Sequence, residues 1–80
     1  MPKLKRLTAK QVLAILIQFD FVVASQRGSH IKLMRMVHNQ KQILTIPNHT
    51  ELDTGTSKAI FRQASRYIST EELYPHFYTE

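Results

Sequence analysis

Residues 21–47 read FVVASQRGSHIKLMRMVHNQKQILTIP, and this stretch decides the fold of the 80-residue chain. It holds three runs of β-branched, aromatic and other apolar residues, a composition that favours strands. Short polar turns at 26–29 and 37–40 separate these runs, and Pro47 ends the third because proline cannot donate to a strand ladder. We therefore predict a meander of three antiparallel strands, over residues 21–25, 30–36 and 41–46.

Helical patterns lie on both sides of this meander. Thr8 and Gln11 have the spacing of a capping box, and apolar residues recur at helical spacing after them, which predicts a helix over 9–19. A second helix is predicted to begin at 54–56, and a short third helix to end near Leu73. The predicted order of elements is α-β-β-β-α with a short C-terminal helix.

The alternation of residues along the second strand predicts two different faces of the sheet. Ile31 and Leu33 share the face that the helices should cover. His30 and Lys32 share the other face, which should stay open. A small domain has one core, so helices packed on one face of the sheet are the economical arrangement. The predicted fold class is α+β, with a three-stranded antiparallel sheet and the whole chain in one domain.

Length and composition limit the class of protein. Eighty residues give a core too small for a deep pocket, and the absence of cysteine excludes a disulfide framework and a thiolate zinc site. The histidines lack metal-ligand spacing and have no acidic cluster beside them, so we expect no metal. The longest apolar run, 12–17, is shorter than the roughly 20 residues of a membrane span, and no signal-peptide pattern follows the basic start. We expect a soluble, cytoplasmic protein.

The formal net charge of +5 is unevenly distributed along the chain. No acidic residue occurs over 21–50 or over 54–70, whereas these segments carry Arg27, Lys32, Arg35, Lys41, Lys58, Arg62 and Arg66. Unmixed positive stretches favour a phosphate backbone or an acidic protein as partner. Charge alone also leaves open a surface that only keeps the protein soluble.

The tripeptide Gly28-Ser29-His30 lies at the turn between the first two predicted strands. Glycine tolerates backbone angles that other residues avoid, and serine can hydrogen-bond locally or to a ligand. Histidine can both accept and donate a proton near neutral pH. In a basic chain, a histidine presented in this way suggests acid–base chemistry on a polyanion.

Several short motifs follow one another in a set order. They are Gly28-Ser29-His30 with the basic strand after it, Ile46-Pro47-Asn48-His49, Leu52, Gly55-Thr56, and Ile60 to Gln63-Ala64. In this order they resemble the HicA family, the toxins of bacterial and archaeal HicA–HicB toxin–antitoxin pairs. The resemblance covers roughly residues 7–73. It departs at Asp20, which occupies the family's usual glycine position and should affect a helix-end turn, not the chemistry.

The resemblance implies a double-stranded-RNA-binding-like fold and the activity of an mRNA interferase, an endoribonuclease that slows growth by cleaving RNA. It implies that His30 is the catalytic residue, because the family's catalytic histidine belongs to the same Gly-Ser-His motif. It further implies a HicB-type antitoxin that inhibits the toxin, and no metal or other cofactor. RNA and this antitoxin are therefore the expected partners.

The residues around His30 suit this chemistry. An imidazole can take the proton of the RNA 2′-hydroxyl or protonate the leaving 5′-oxygen. Lys32 is expected on the same strand face, where a cation can stabilise charge on the phosphoryl oxygens. Ser29 can orient the phosphate, and Arg27 can contact it.

Residues outside the turn are further candidates for RNA contact. Lys58 and Arg62, at positions i and i+4 of the second helix, can bind phosphates or can be an ordinary solvated helix face. His49 can serve as a second acid–base group, or can organise hydrogen bonds in the loop after Pro47.

Two function classes without catalysis are alternatives. One is a non-catalytic double-stranded-RNA-binding-like module, which binds backbone phosphates and does not require His30 at the turn. The other is a protein-interaction subunit whose basic surface serves only an acidic antitoxin. In the toxin hypothesis, an antitoxin covers His30 and neutralises Lys32 and Arg35, which blocks access of the substrate.

Overall fold

The computed structural model of the protein describes residues 2–79 and confirms the α-β-β-β-α order and the α+β fold class. Its elements are, in chain order, β1 (Lys3–Leu4), α1 (Ala9–Gln18), β2 (Val22–Arg27), β3 (His30–Val37), β4 (Gln40–Pro47), α2 (Thr54–Ala64), α3 (Thr70–Phe77) and β5 (Tyr78–Thr79). Strands β2, β3 and β4 form the antiparallel meander, in that order. None of the helices in this part of the chain is long and apolar enough to cross a membrane.

The two faces of the meander differ as the alternation along β3 predicts. Ile31 and Leu33 are buried, and they share the core with helix residues such as Leu16. His30 and Lys32 are exposed on the opposite face. The helices therefore cover one face of the sheet and leave the other open to solvent.

Side-chain caps set the starts of the helices. The Thr8 hydroxyl accepts the Gln11 N–H and the Gln11 carboxamide accepts the Thr8 N–H, which confirms the predicted capping box. Asp53 caps α2 by accepting the Thr56 N–H at 2.7 Å, and Ser69 caps α3. The starts of the helices therefore follow directly from the local sequence.

Asp20 lies in the turn that ends α1. The Asp20 N–H donates to the Ile17 carbonyl at 3.1 Å, and the Phe21 N–H donates to the Leu16 carbonyl at 3.2 Å, which is the Schellman motif. Asp20 adopts a φ of 73°, a left-handed conformation that costs a residue with a Cβ atom roughly 1–2 kcal/mol. The position therefore favours glycine, and an aspartate there is under backbone strain.

Asp20→Gly is expected to raise the free energy of unfolding by about 1 kcal/mol, because glycine adopts the left-handed conformation without steric cost. Urea denaturation followed by circular dichroism measures this change. Asp20→Ala is the control, since it removes the carboxylate but keeps the Cβ atom, and it should bring no gain. An equal gain in both variants would mean that the charge of Asp20, and not its backbone conformation, limits stability.

The C-terminal segment is longer and more closely packed than predicted. Helix α3 continues through Pro75 to Phe77 instead of ending near Leu73. Phe77 is fully buried, and its ring meets that of Phe61 edge to face at 5.4 Å between centroids. Strand β5 then pairs with β1 in antiparallel fashion. Burial of Phe77 offsets the helix hydrogen bond that proline cannot donate.

Ser57, in the first turn of α2, carries a buried hydroxyl that has no hydrogen-bond partner within residues 2–79. An unsatisfied buried polar group costs about 1–3 kcal/mol, so Ser57→Ala should raise the free energy of unfolding by about 1 kcal/mol in urea denaturation. Ser65→Ala is the matched control, because the Ser65 hydroxyl donates to the Phe61 carbonyl at 2.6 Å and its removal should destabilise. A destabilised Ser57→Ala variant would contradict this account.

Arg35 faces the helices and not the open side of the sheet. Its guanidinium donates to the carbonyls of Phe19 and Tyr67, both at 2.7 Å, and its Nε donates to Gln42 Oε1 at 2.6 Å. The structure therefore does not present Arg35 beside Lys32 on the open face, where the expected antitoxin contact would need it. The guanidinium of Arg35 makes its hydrogen bonds within the protein, and these bonds link β3 to the end of α1 and to the segment after α2.

Candidate active site

A two-residue turn places Arg27 and His30 side by side. Gly28 and Ser29 form this turn between β2 and β3, and Arg27 and His30 are cross-strand partners next to it. Gly28 has a φ of 54°, a conformation that glycine adopts freely and that a two-residue hairpin turn needs at its first central position. Directly opposite residues share a face of the sheet, so the guanidinium and the imidazole are neighbours.

A β-bulge in β2 decides which other residues join them. Val23 pairs with Leu33 and Ser25 pairs with Lys32, so the residue between them, Ala24, is extra. A register shift of one residue moves the side chains that follow to the other face of the sheet. The bulge therefore puts Ser25 beside Lys32 on the open face, where an uninterrupted ladder would turn it toward the core.

A shallow concave surface of about 480 Å³, here called the histidine cleft, lies at this end of the open face. It is lined by Ser25, Arg27, His30, Lys32 and Thr45, all of them exposed. The structure thus brings together the predicted residues Arg27, His30 and Lys32. Ser25 and Thr45 were not predicted as site residues. Their position in the cleft depends on the bulge in β2 and on the register between β3 and β4, which the sequence does not show. Two cations and two hydroxyls around an imidazole suit a phosphodiester.

Ser29 connects the turn to the loop that follows β4. Its carbonyl accepts the Asn48 N–H at 2.6 Å, so its backbone has a structural role. The residue is exposed, and it is not among those that line the histidine cleft. The loop that carries His49 is therefore joined to the turn that carries His30.

His49 lies in a separate concave surface of about 370 Å³, between the start of α1 and the loop after β4. This surface is here called the loop pocket, and Lys10, Leu13, Asn48 and His49 are among its lining residues. The structure therefore does not place the two histidines in one cavity. Across residues 2–79, no three histidine or acidic side chains come together as metal ligands would.

Lys58 and Arg62 are exposed on α2 and do not line the histidine cleft. Helix α2 is held at the edge of β4 by Gln63, whose Oε1 accepts the Thr45 N–H at 3.0 Å and whose Nε2 donates to the Thr45 carbonyl at 3.3 Å. The basic helix face and the histidine cleft are thus distinct surfaces. They are joined through Thr45, which belongs to the cleft and is bonded to α2.

The start of α2 already carries a negative charge. The Thr56 N–H hydrogen bond holds the pKa of Asp53 below its ordinary value, and the nearby charge of His49 acts in the same direction. The carboxylate therefore stays ionised at neutral pH and occupies the helix N-terminus itself. A phosphate at this helix start would meet the like charge of Asp53, so the exposed Lys58 and Arg62 side chains are the better candidates for phosphate contact on α2.

The model of the family described as "HicA toxin of bacterial toxin-antitoxin" matches residues 9–65, well over half of the chain. The matched segment begins with α1 and ends just after α2, and it contains every residue of the histidine cleft. Comparisons with curated proteins and with solved structures found no significant match. The fold, the Gly-Ser-His turn and this match agree, and a toxin of such a pair has an antitoxin as its partner. The chain therefore belongs to the HicA toxin family of bacterial toxin–antitoxin systems.

Proposed function

We propose that this protein is an endoribonuclease of the mRNA interferase type that needs no metal ion and uses His30 as its catalytic residue. The observation that carries the proposal is the exposed His30, with Arg27 across the ladder and Lys32 two residues further along β3. The two cations attract a phosphodiester, and the imidazole transfers protons near neutral pH. Membership of a toxin family supports the same activity.

In the proposed reaction, His30 accepts the proton of the 2′-hydroxyl next to the scissile phosphate. The 2′-oxygen attacks phosphorus, and the bond to the 5′-oxygen breaks as that oxygen takes a proton from the protonated His30 or from water. Arg27 and Lys32 stabilise the negative charge that grows on the phosphoryl oxygens, and Ser29, exposed in the turn beside the cleft, contacts the phosphate from the edge of the cleft. Lys58 and Arg62 bind phosphates further along the strand.

The open face of the sheet is also the surface that we propose a HicB-type antitoxin covers. Acidic groups placed over Arg27 and Lys32 would exclude RNA by occlusion and by competition for positive charge. The other end of the same surface offers a partner protein apolar contacts, since Val22 and Met36 are 56% and 55% exposed. Toxin and antitoxin would meet in the cytoplasm, where messenger RNA is translated.

Incubation of the purified protein with a single-stranded RNA in EDTA tests this function. We expect cleavage in EDTA, and its loss when an equimolar HicB-type antitoxin is added. RNA that is bound but stays intact would favour the non-catalytic RNA-binding module, for which the exposed Lys58 and Arg62 offer a phosphate-binding face. Tight antitoxin binding without any RNA binding would favour the protein-interaction subunit.

A further inference from the structure

The loop pocket lies close enough to the histidine cleft for one RNA strand to reach both. His30 pairs with Pro47, and the Cα atoms of such cross-strand partners are about 5 Å apart. His49 follows two residues later, at most about 7 Å further along the chain. The Cα atoms of the two histidines are therefore within about 12 Å of each other, so one RNA strand bound at His30 can also reach the His49 side chain.

Backbone hydrogen bonds hold the loop pocket in place. The Asn48 N–H donates to the Ser29 carbonyl at 2.6 Å, and the His49 N–H donates to the Pro47 carbonyl at 3.0 Å. The Ala9 N–H donates to the His49 carbonyl at 3.2 Å, which joins the loop to α1. The Asn48 and His49 side chains are thus carried by a backbone fixed on both sides, which lowers the cost of ordering them around a ligand.

The chemical groups of the loop pocket suit a nucleobase better than a phosphate. A phosphate at a helix start is bound by free N–H groups, but the capping box of α1 already uses the N–H groups of Thr8 and Gln11. The remaining groups include the half-buried Leu13, the carboxamide of Asn48 and the imidazole of His49. They supply an apolar surface, a flat ring for stacking, and donors and acceptors for the edge of a base.

We infer that the loop pocket binds the base of a nucleotide that flanks the scissile phosphate, with the His49 ring in contact with that base. In this role His49 positions and selects the substrate and transfers no proton, in contrast to the second acid–base role considered from the sequence. Lys10, which also lines the pocket, contacts the phosphate of the same nucleotide. The inference rests on the proposed function, because it requires RNA in the histidine cleft.

The test uses an RNA oligonucleotide with one mapped cleavage point, in which the bases around that point are replaced one at a time by abasic nucleotides. The kcat/KM is measured for the wild type, His49→Ala, His49→Phe and the control His38→Ala, whose exposed histidine lies in the turn between β3 and β4. We expect one abasic position to lower the wild-type kcat/KM roughly tenfold. His49→Ala should lose roughly tenfold on intact RNA and nothing further on that abasic substrate.

The variants separate base binding from proton transfer. His49→Phe should keep most of the activity and the pH–rate profile of the wild type, because the phenyl ring can stack on a base but can neither accept nor donate a proton. His38→Ala should match the wild type on every substrate. The inference is overturned if the kcat/KM of His49→Ala on the abasic substrate falls by the product of the two separate losses, since the two changes would then act independently. It is also overturned if His49→Phe is as slow as His49→Ala and one limb of the pH profile is missing.

Failure of the proposed function would have a different signature. In that case the wild type would leave every RNA intact, including the substrate with all of its bases. The inference would then fall together with the proposed function. A wild type that cleaves, with a base preference that His49 does not influence, would overturn the inference alone.

Discussion

His30→Ala is expected to cleave RNA about 10²–10⁴-fold more slowly than the wild type, because the variant lacks the group that transfers protons in the proposed reaction. Its stability should be unchanged, since His30 is exposed at the edge of a turn and lies outside the core. The measurement is the initial rate of cleavage of one RNA in EDTA, together with the melting temperature of both proteins.

Two further variants test whether the loss of activity is specific to His30. His38→Ala removes another exposed histidine, in the turn that follows β3, and should retain the wild-type rate. Lys32→Ala should reduce the rate without abolishing it, because the proposed reaction would still have Arg27 in the histidine cleft to stabilise charge. A His30→Ala protein that cleaves at the wild-type rate would remove His30 from the mechanism.

Arg35→Ala is expected to lower the free energy of unfolding by about 3 kcal/mol, which corresponds to a fall in Tm of roughly 15 °C. The substitution deletes three hydrogen bonds from a charged donor and leaves the carbonyls of Phe19 and Tyr67 without this partner. It also removes a cation–π contact, since the Arg35 guanidinium carbon lies 4.8 Å from the centre of the Phe21 ring. Urea and thermal denaturation measure the loss.

Lys41→Ala is the matched control for Arg35→Ala, because Lys41 is an exposed cation on the neighbouring strand. Its removal should change the free energy of unfolding by less than about 0.5 kcal/mol. Arg35→Lys should be intermediate, since an ammonium group keeps the charge but not the planar set of donors. If Arg35→Ala were as stable as the wild type and instead bound the antitoxin weakly, Arg35 would be a partner-contact residue after all.

The meander and α1 could be predicted because their signals are local. Alternation over 30–36 separated Ile31 and Leu33 from His30 and Lys32, and the capping box marked the start of α1. The same alternation assigns Arg35 to the buried side. The positive charge of the segment nevertheless favoured a surface role for Arg35. The carbonyls of Phe19 and Tyr67 that accept from its guanidinium are distant in the sequence, so their approach could not be predicted.

Features that depend on long-range pairing could not be predicted. The bulge at Ala24 follows from how β2 fits against β3, and no residue in β2 indicates a bulge from the sequence alone. The pairing of β1 with β5 joins the two ends of the chain through two-residue strands, which are too short to show a pattern. Helix α3 passes Pro75 because Phe77 is buried in the core, a tertiary effect that overrides the local signal to stop.

The central claim is that the histidine cleft cleaves RNA through the RNA's own 2′-hydroxyl. The most direct test compares, in EDTA, cleavage of one RNA with that of a matched strand that lacks the 2′-hydroxyl only at the nucleotide before the scissile bond. The account predicts that the wild type binds both strands equally, cuts the RNA and leaves the substituted strand intact at that bond. Equal binding with neither strand cut, or with both cut at the same rate, would contradict it.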